Sequence, residues 1–194
     1  MPPLVLASGS PRRRQFLTDL GFEFRVQPSN ADETQQPGEA PAAYARRLAR
    51  TKAAAVAAQA PGTVVLAADT IVVSGGDVLG KPESESEFRR MMQRLSGRTH
   101  EVITAVAVHQ PGGDHEETSV STQVSFRALT DEEIGWYWST GEPHDKAGGY
   151  AIQGKGGAFI TSISGSHSNV IGLPLVETLA LLQRAGVQPP WSTP

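Results

Sequence analysis

The spacing of apolar and polar positions changes along the chain, and each change predicts an element. Residues 3–7 (PLVLA) are an unbroken apolar run that reads as a short buried strand. A turn, Ser8-Gly9-Ser10-Pro11, follows. Ser10 is a good helix N-cap and Pro11 a good first helical residue, so a helix is expected to about Leu20, with Gly21 just past its end. Residues 22–27 read as a second strand, and the polar stretch 28–41, with three prolines, as a loop. A longer helix is expected over about 41–59, with Tyr44, Leu48 and Val56 at i+4 steps. Residues 63–73 (TVVLAADTIVV) are almost all β-branched or small, as in a strand buried on both faces.

Ser74-Gly75-Gly76-Asp77 predicts a hairpin turn into residues 78–80. Helix 83–96 follows, with Phe88, Met91, Met92 and Leu95 on one face and Gly97 as its stop. Two long strands, 100–109 and 118–128, flank the turn 111–114. Thr130 and Glu133 form a capping box for a helix carrying Ile134, Tyr137 and Trp138. Residues 141–172 are glycine-rich, with one strand expected at 158–163. Pro174 opens a last helix and Gly186 closes it. Strands and helices are mixed throughout, which gives an α/β (α+β) class with a mixed sheet and flanking helices. No repeat and no linker divides the chain, so one domain over 1–186 is expected, with a flexible tail at 187–194.

Composition narrows the chemistry. The chain has 194 residues and no cysteine, which excludes a disulfide framework, a thiolate zinc site and a cysteine nucleophile. It has no apolar stretch long enough to span a bilayer and no signal-peptide pattern, so a soluble, cytoplasmic protein is expected. Its formal charge is −3, from 17 Lys+Arg and 20 Asp+Glu. Residues 1–60 hold 8 basic and 5 acidic side chains, a local +3 inside an acidic protein. That balance suits a compact anion better than a nucleic-acid backbone.

Four places can carry chemistry. In ASGSPRRR (7–14) a small-residue turn feeds a capped helix start, whose N–H groups and dipole favour an anion. Helical neighbours point about 100° apart, so Arg12 and Arg13, nearest the turn, are the better anion ligands and Arg14 is expected in solvent. Asp69 lies inside the apolar run 63–73, where a carboxylate costs several kcal/mol unless it is paired, metal-bound or at the strand's open end. An ordinary hydrogen-bonded Asp at a bend is the alternative. Lys52 stands on the stripe Tyr44–Leu48–Lys52–Val56, where an apolar residue is expected. Either it reaches out to water or its ammonium points into a cleft. Lys81 sits on the turn Gly80-Lys81-Pro82.

The run DKAGGYAIQGKGG (145–157) imitates the start of a Walker A loop. Gly156 replaces the required Ser/Thr and a strand follows instead of a helix, so the P-loop reading is rejected. What remains is a glycine-rich loop with one amide, Gln153, open to close approach by a ligand. His100, His109, His115, His144 and His167 form no i,i+4 pair, which disfavours a histidine zinc site. Asp32 and Glu33 are either solvated loop residues or, with Asp69, ligands of a hard cation.

Taken together, LASGSPRRRQFL (6–17), RLARTKA (47–53), ADTIV (68–72), GKP (80–82), LSGRTHEVITAV (95–106), DKAGGYAIQGKGG (145–157) and GSHSNVIGLPL (165–175) resemble, in order, the Maf family of nucleoside triphosphate pyrophosphatases, also known as septum formation proteins. The resemblance implies an ITPase-like mixed fold of two lobes around a deep central cleft, generally dimeric. It implies hydrolysis of the α–β phosphoanhydride to monophosphate and pyrophosphate with a divalent metal (Mg2+, Mn2+ or Co2+). By position, Asp69 matches the family's catalytic residue. Ser10, Arg13, Lys52 and Lys81 match phosphate contacts, and Glu33 matches the acidic position near the metal, which Asp69 shares. Arg12, Thr70 and Gln153 fall where the dTTP/UTP subgroup is marked, whereas the subgroup acting on 7-methyl-GTP carries Gln after the catalytic Asp. The partners implied are a nucleoside triphosphate and a second copy of the chain, with no nucleic acid and no membrane. The alternative is a non-catalytic nucleotide- or nucleic-acid-binding regulator of septum formation.

Overall fold

The computed structural model of the chain describes residues 1–192. Its elements are β1 (Leu4–Leu6), α1 (Pro11–Asp19), β2 (Phe24–Val26), α2 (Pro41–Ala57), β3 (Val64–Ser74), β4 (Asp77–Leu79), α3 (Glu85–Leu95), β5 (Thr99–His109), β6 (His115–Phe126), α4 (Asp131–Ser139), β7 (Ile160–Ser164), α5 (His167–Ile171) and α6 (Leu175–Arg184). Short 3-10 turns occupy Glu142–Asp145, Ala147–Gly149 and Lys155–Phe159. The strands are mixed: β1 runs parallel to β2 and β3, whereas β4 is antiparallel to β3 and β7 to β6. This is the expected α/β class with a mixed sheet. Among the described residues no helix is long and apolar enough to cross a membrane.

The chain divides into two compact units. The first holds Met1–Asp69, Thr104–Val120 and the chain from Gly172 onward. Its strands lie in the order β2, β1, β3, β5, β6. Leu4 and Leu6 of β1 and Val64, Leu66 and Ala68 of β3 pack with Leu17 of α1 and with Leu181 and Leu182 of α6. Every residue of β3 from Val64 to Asp69 is buried, as its unbroken apolar pattern requires. Helix α2 buries Ala45, Leu48, Ala49, Ala53 and Val56, a helical stripe of mostly small side chains that sets Lys52 at its margin. Ser10 caps α1, accepting from the Arg13 amide, and Gly21 follows at φ 76°. Of the expected tail, Val187 and Pro189 are buried, and Thr193 and Pro194 lie outside the described residues.

The second unit, Thr70–Ile103 and Ser121–Ile171, orders its strands β4, β3, β5, β6, β7. The expected face of α3 is buried in full, and the Thr130–Glu133 capping box forms at the start of α4. Gly148 and Gly149 carry positive φ, and a Cβ on either would come within 2.9 Å of Val72 or the Phe88 ring. The strand expected at 158–163 starts later, because the backbone first makes the 3-10 turn Lys155–Phe159. Helix α5 was not foreseen from spacing. It has five residues, too few to show a period, and is started by Ser166 Oγ, which accepts from the Asn169 amide at 3.2 Å.

His100 lies in this second core, 2% exposed, edge-on to Phe126 and Tyr150. Its Nε2 shares a 2.7 Å hydrogen bond with the Tyr150 hydroxyl, and Nδ1 has no partner. Burial pushes its pKa down from 6.5 to about 4. Between these values the unfolded chain binds the extra proton and the folded one does not, so stability falls as pH is lowered through that window. The expected loss is on the order of 3 kcal/mol between pH 6.5 and 4. Urea denaturation across this range should show it, and His100→Asn should flatten the slope; an unchanged slope in the variant would contradict a neutral buried His100.

Candidate active site

The first unit gathers most of the charged candidates. Strand β1 ends at Leu6 and the chain turns through Ser8-Gly9-Ser10 into α1. Ser8 Oγ accepts from the Ser10 amide at 3.2 Å and from Arg13 Nη1 at 3.1 Å. Arg13 Nε donates to the Gly172 carbonyl at 2.8 Å, so the guanidinium is held from two sides. Burial lowers its pKa to about 10; Asp69 and Glu33 oppose that shift and Arg12 adds to it. Arg13 therefore stays cationic at neutral pH, close to both carboxylates. Arg12 is half-buried and Arg14 exposed, as the helical geometry suggests.

Asp69 is 8% exposed on β3. Lys52 Nζ donates to Asp69 Oδ1 at 2.6 Å and to Glu33 Oε1 at 2.8 Å. Asp69 is thus paired, and the Lys52 ammonium contacts two carboxylates. The side chains of Lys52 and Asp69 are 12% and 11% exposed, while that of Glu33 is 54% exposed. The Coulomb attraction of the inner contact is thus little screened.

The loop before α2 is irregular yet tied down. Tyr44 donates its hydroxyl to the Glu33 carbonyl at 2.6 Å, and Arg47 Nη2 donates to the Thr34 carbonyl at 3.0 Å. Arg47 also forms a two-pronged pair with Glu39, both contacts at 2.7 Å. Asp32 accepts from the amide and hydroxyl of Thr34, so of the two acidic loop residues only Glu33 reaches Lys52. The sequence reading placed Tyr44 on an apolar stripe and missed this role. Burial, then the charges of Asp69 and Glu33, raise the Tyr44 phenol pKa, which keeps it a hydrogen-bond donor.

Thr70, Lys81 and Gln153 belong to the second unit. Thr70 follows Asp69 on β3 and is half-buried. Lys81 is exposed, beside buried Pro82, and the Gly80 carbonyl before it accepts from the Gly148 amide at 2.9 Å. Gln153 is exposed in the glycine-rich loop. Two residues that sequence reasoning did not single out for the site organise that loop. Tyr137 donates its hydroxyl to Glu142 Oε1 at 2.7 Å and accepts from the Ala151 amide at 3.1 Å. Glu142 accepts from the amides of Lys155 at 3.0 Å and Gly156 at 3.1 Å. Burial raises the Glu142 carboxyl, but the Tyr137 hydroxyl and the two amides outweigh it and leave its pKa below the usual value. Tyr137 is pushed up by burial and by Glu142.

A divalent metal can be tested against this donor set. Among the described residues no group of three or more His, Asp or Glu side chains converges. Mg2+ needs only one or two carboxylates when substrate phosphates and water complete its shell. Asp69 and Glu33 meet that need, since their oxygens already converge on one positive charge.

The family model described as "Maf-like protein" matches residues 3–185. A dTTP/UTP pyrophosphatase of Anaeromyxobacter dehalogenans is 55% identical over 196 residues, covering 100% of this chain and 99% of the relative. One from Myxococcus xanthus is 56% identical, covering 97% and 95%. Among solved structures, a dITP/XTP pyrophosphatase of Mycobacterium abscessus aligns over 95% of this chain and 94% of its own, at 12% identity and a TM-score of 0.45.

The Lys52 contact predicts a stability effect independent of any reaction. Lys52→Met in nucleotide- and metal-free protein strands a largely buried carboxylate and should cost about 2–3 kcal/mol in urea unfolding. Adding Asp69→Asn should restore most of the loss. Equal stability of Lys52→Met and the parent protein would show that the contact has no weight.

Proposed function

The chain belongs to the Maf-like protein family, and from that membership we propose that it hydrolyses dTTP and UTP to the nucleoside monophosphate and pyrophosphate. The observation that carries the reading is Asp69, a buried carboxylate held by Lys52 with the Arg13 guanidinium close by. A binding-only regulator gains nothing from a carboxylate beside phosphate-binding cations, because the two negative groups repel. A hydrolase needs one, since an attacking water must lose a proton.

In the proposed reaction, water attacks the α-phosphorus, the bond to the α–β bridging oxygen breaks, and pyrophosphate leaves. The water proton passes to the Asp69 carboxylate. Ser10, Arg12, Arg13, Lys52 and Lys81 bind the phosphates, and their positive charges stabilise the charge that develops there. Asp69 and Glu33 would hold a divalent cation (Mg2+, Mn2+ or Co2+), which when bound would screen phosphate charge. Thr70, the residue after Asp69 on β3, is assigned to substrate binding in this reading. Gln153 presents a donor for O4 and an acceptor for N3–H of uracil and thymine. Cytosine presents the reverse pattern, so CTP should be disfavoured. The same reading takes the working protein as a cytoplasmic homodimer.

Two measurements test the reading. Asp69→Asn should lower kcat by roughly 10³-fold while UTP binding by calorimetry stays measurable; near-normal turnover would remove Asp69 from the mechanism. In a pyrophosphate-release panel with Mg2+ or Mn2+, dTTP and UTP should be cleaved well ahead of CTP and GTP. Equal rates for CTP or GTP would contradict the assignment of Gln153.

A further inference from the structure

Gln153 sits on an exposed loop, and the path of the loop backbone sets where its carboxamide can stand. A carboxamide on a shifting loop would meet a base edge from several positions and discriminate poorly between the uracil and cytosine patterns. The structure fixes that backbone on both sides. Two residues before Gln153, the Ala151 amide donates to the Tyr137 hydroxyl oxygen at 3.1 Å. Two and three residues after it, the Lys155 and Gly156 amides donate to the Glu142 carboxylate at 3.0 and 3.1 Å. Tyr137 and Glu142 are joined at 2.7 Å, so both ends of the loop hang from one bonded pair.

The pair stands on rigid ground. Tyr137 is fully buried on α4 with its ring against Phe159, and Glu142 opens the 3-10 turn that ends at Asp145. The loop sequence leaves room for the pair. A Cβ on Gly154 would collide with the Glu142 carboxylate, and one on Gly156 would lie 2.6 Å from the Tyr137 hydroxyl. The glycines therefore permit the anchor to reach the backbone, beyond giving the loop freedom.

We propose that Tyr137 and Glu142 are positioning residues for pyrimidine selectivity, acting through the loop that carries Gln153. This rests on the reading of Gln153 given above. Neither residue touches substrate in this scheme. Their loss loosens base discrimination while the phosphate-binding and proton-accepting groups of the first unit are left in place.

The test compares Tyr137→Phe, Glu142→Gln and Gln153→Ala, each alone, and both anchor variants on the Gln153→Ala background, with UTP and CTP as substrates. Tyr137→Phe keeps the buried ring, and Glu142→Gln keeps the side-chain shape while losing the charge, so at least one folded variant is available. Each anchor variant should lower the UTP/CTP ratio of kcat/KM by about tenfold, chiefly through a higher KM for UTP. On the Gln153→Ala background neither should lower it further, because the three residues act as one unit. Amide exchange at Ala151, Lys155 and Gly156 should speed up in both anchor variants. If Gln153→Ala lowers the ratio and both anchor variants leave it intact, Tyr137 and Glu142 are structural only and the proposal falls. If Gln153→Ala itself leaves the ratio intact, the reading of Gln153 falls, and the proposal with it.

Discussion

A carboxylate inside a strand buried on both faces must have a counter-charge, and the ammonium of Lys52 meets that requirement for Asp69. The rest of the first unit can be understood from this contact. Helix α2 buries Ala45, Leu48, Ala49, Ala53 and Val56, and Lys52 at the margin of that stripe reaches Asp69. The loop before α2 would be free to move on its composition alone. Tyr44 and Arg47, one and two turns into the helix, fasten it so that Glu33 shares the same ammonium. Two carboxylates then converge on one positive charge, an arrangement that would suit a hard cation.

The arginines solve a related problem. Phosphate binding calls for concentrated positive charge, and clustered cations repel one another and resist desolvation. Arg13 is held by neutral acceptors, Ser8 and the Gly172 carbonyl, with the two carboxylates close enough to favour its charge. The positive excess of the first sixty residues is thus partly spent in a compact centre. Other members of it are tied up in ion pairs: Arg47 in a two-pronged, partly buried pair with Glu39, and Arg50 with Glu117 at the surface, where a pair is worth little.

Much of this was legible in the sequence where one local rule suffices. The Ser10–Pro11 start of α1, the buried face of α3 and the Thr130–Glu133 box depend on neighbours three or four residues away, and all appear as expected. Asp69 and Lys52 stood out because each breaks an apolar pattern, although only the structure joins them. Tyr44 and Tyr137 did not stand out, because an aromatic on a helical stripe fits the pattern perfectly well by its ring and hides the work of its hydroxyl. Glu142 gave no signal at all. Its backbone partners are the amides of Lys155 and Gly156, thirteen and fourteen residues away, which no spacing rule reports. In the glycine-rich loop the glycines admit a carboxylate and a phenol against the main chain, a role that glycine composition does not report.

The central claim is that these charges direct one water molecule to the α-phosphorus of a pyrimidine nucleoside triphosphate. Hydrolysis of UTP in 18O-labelled water, with the products separated and weighed by mass spectrometry, tests it most directly. The account predicts one 18O in the uridine monophosphate and none in the pyrophosphate. Label in the pyrophosphate, or release of orthophosphate in place of pyrophosphate, would contradict it.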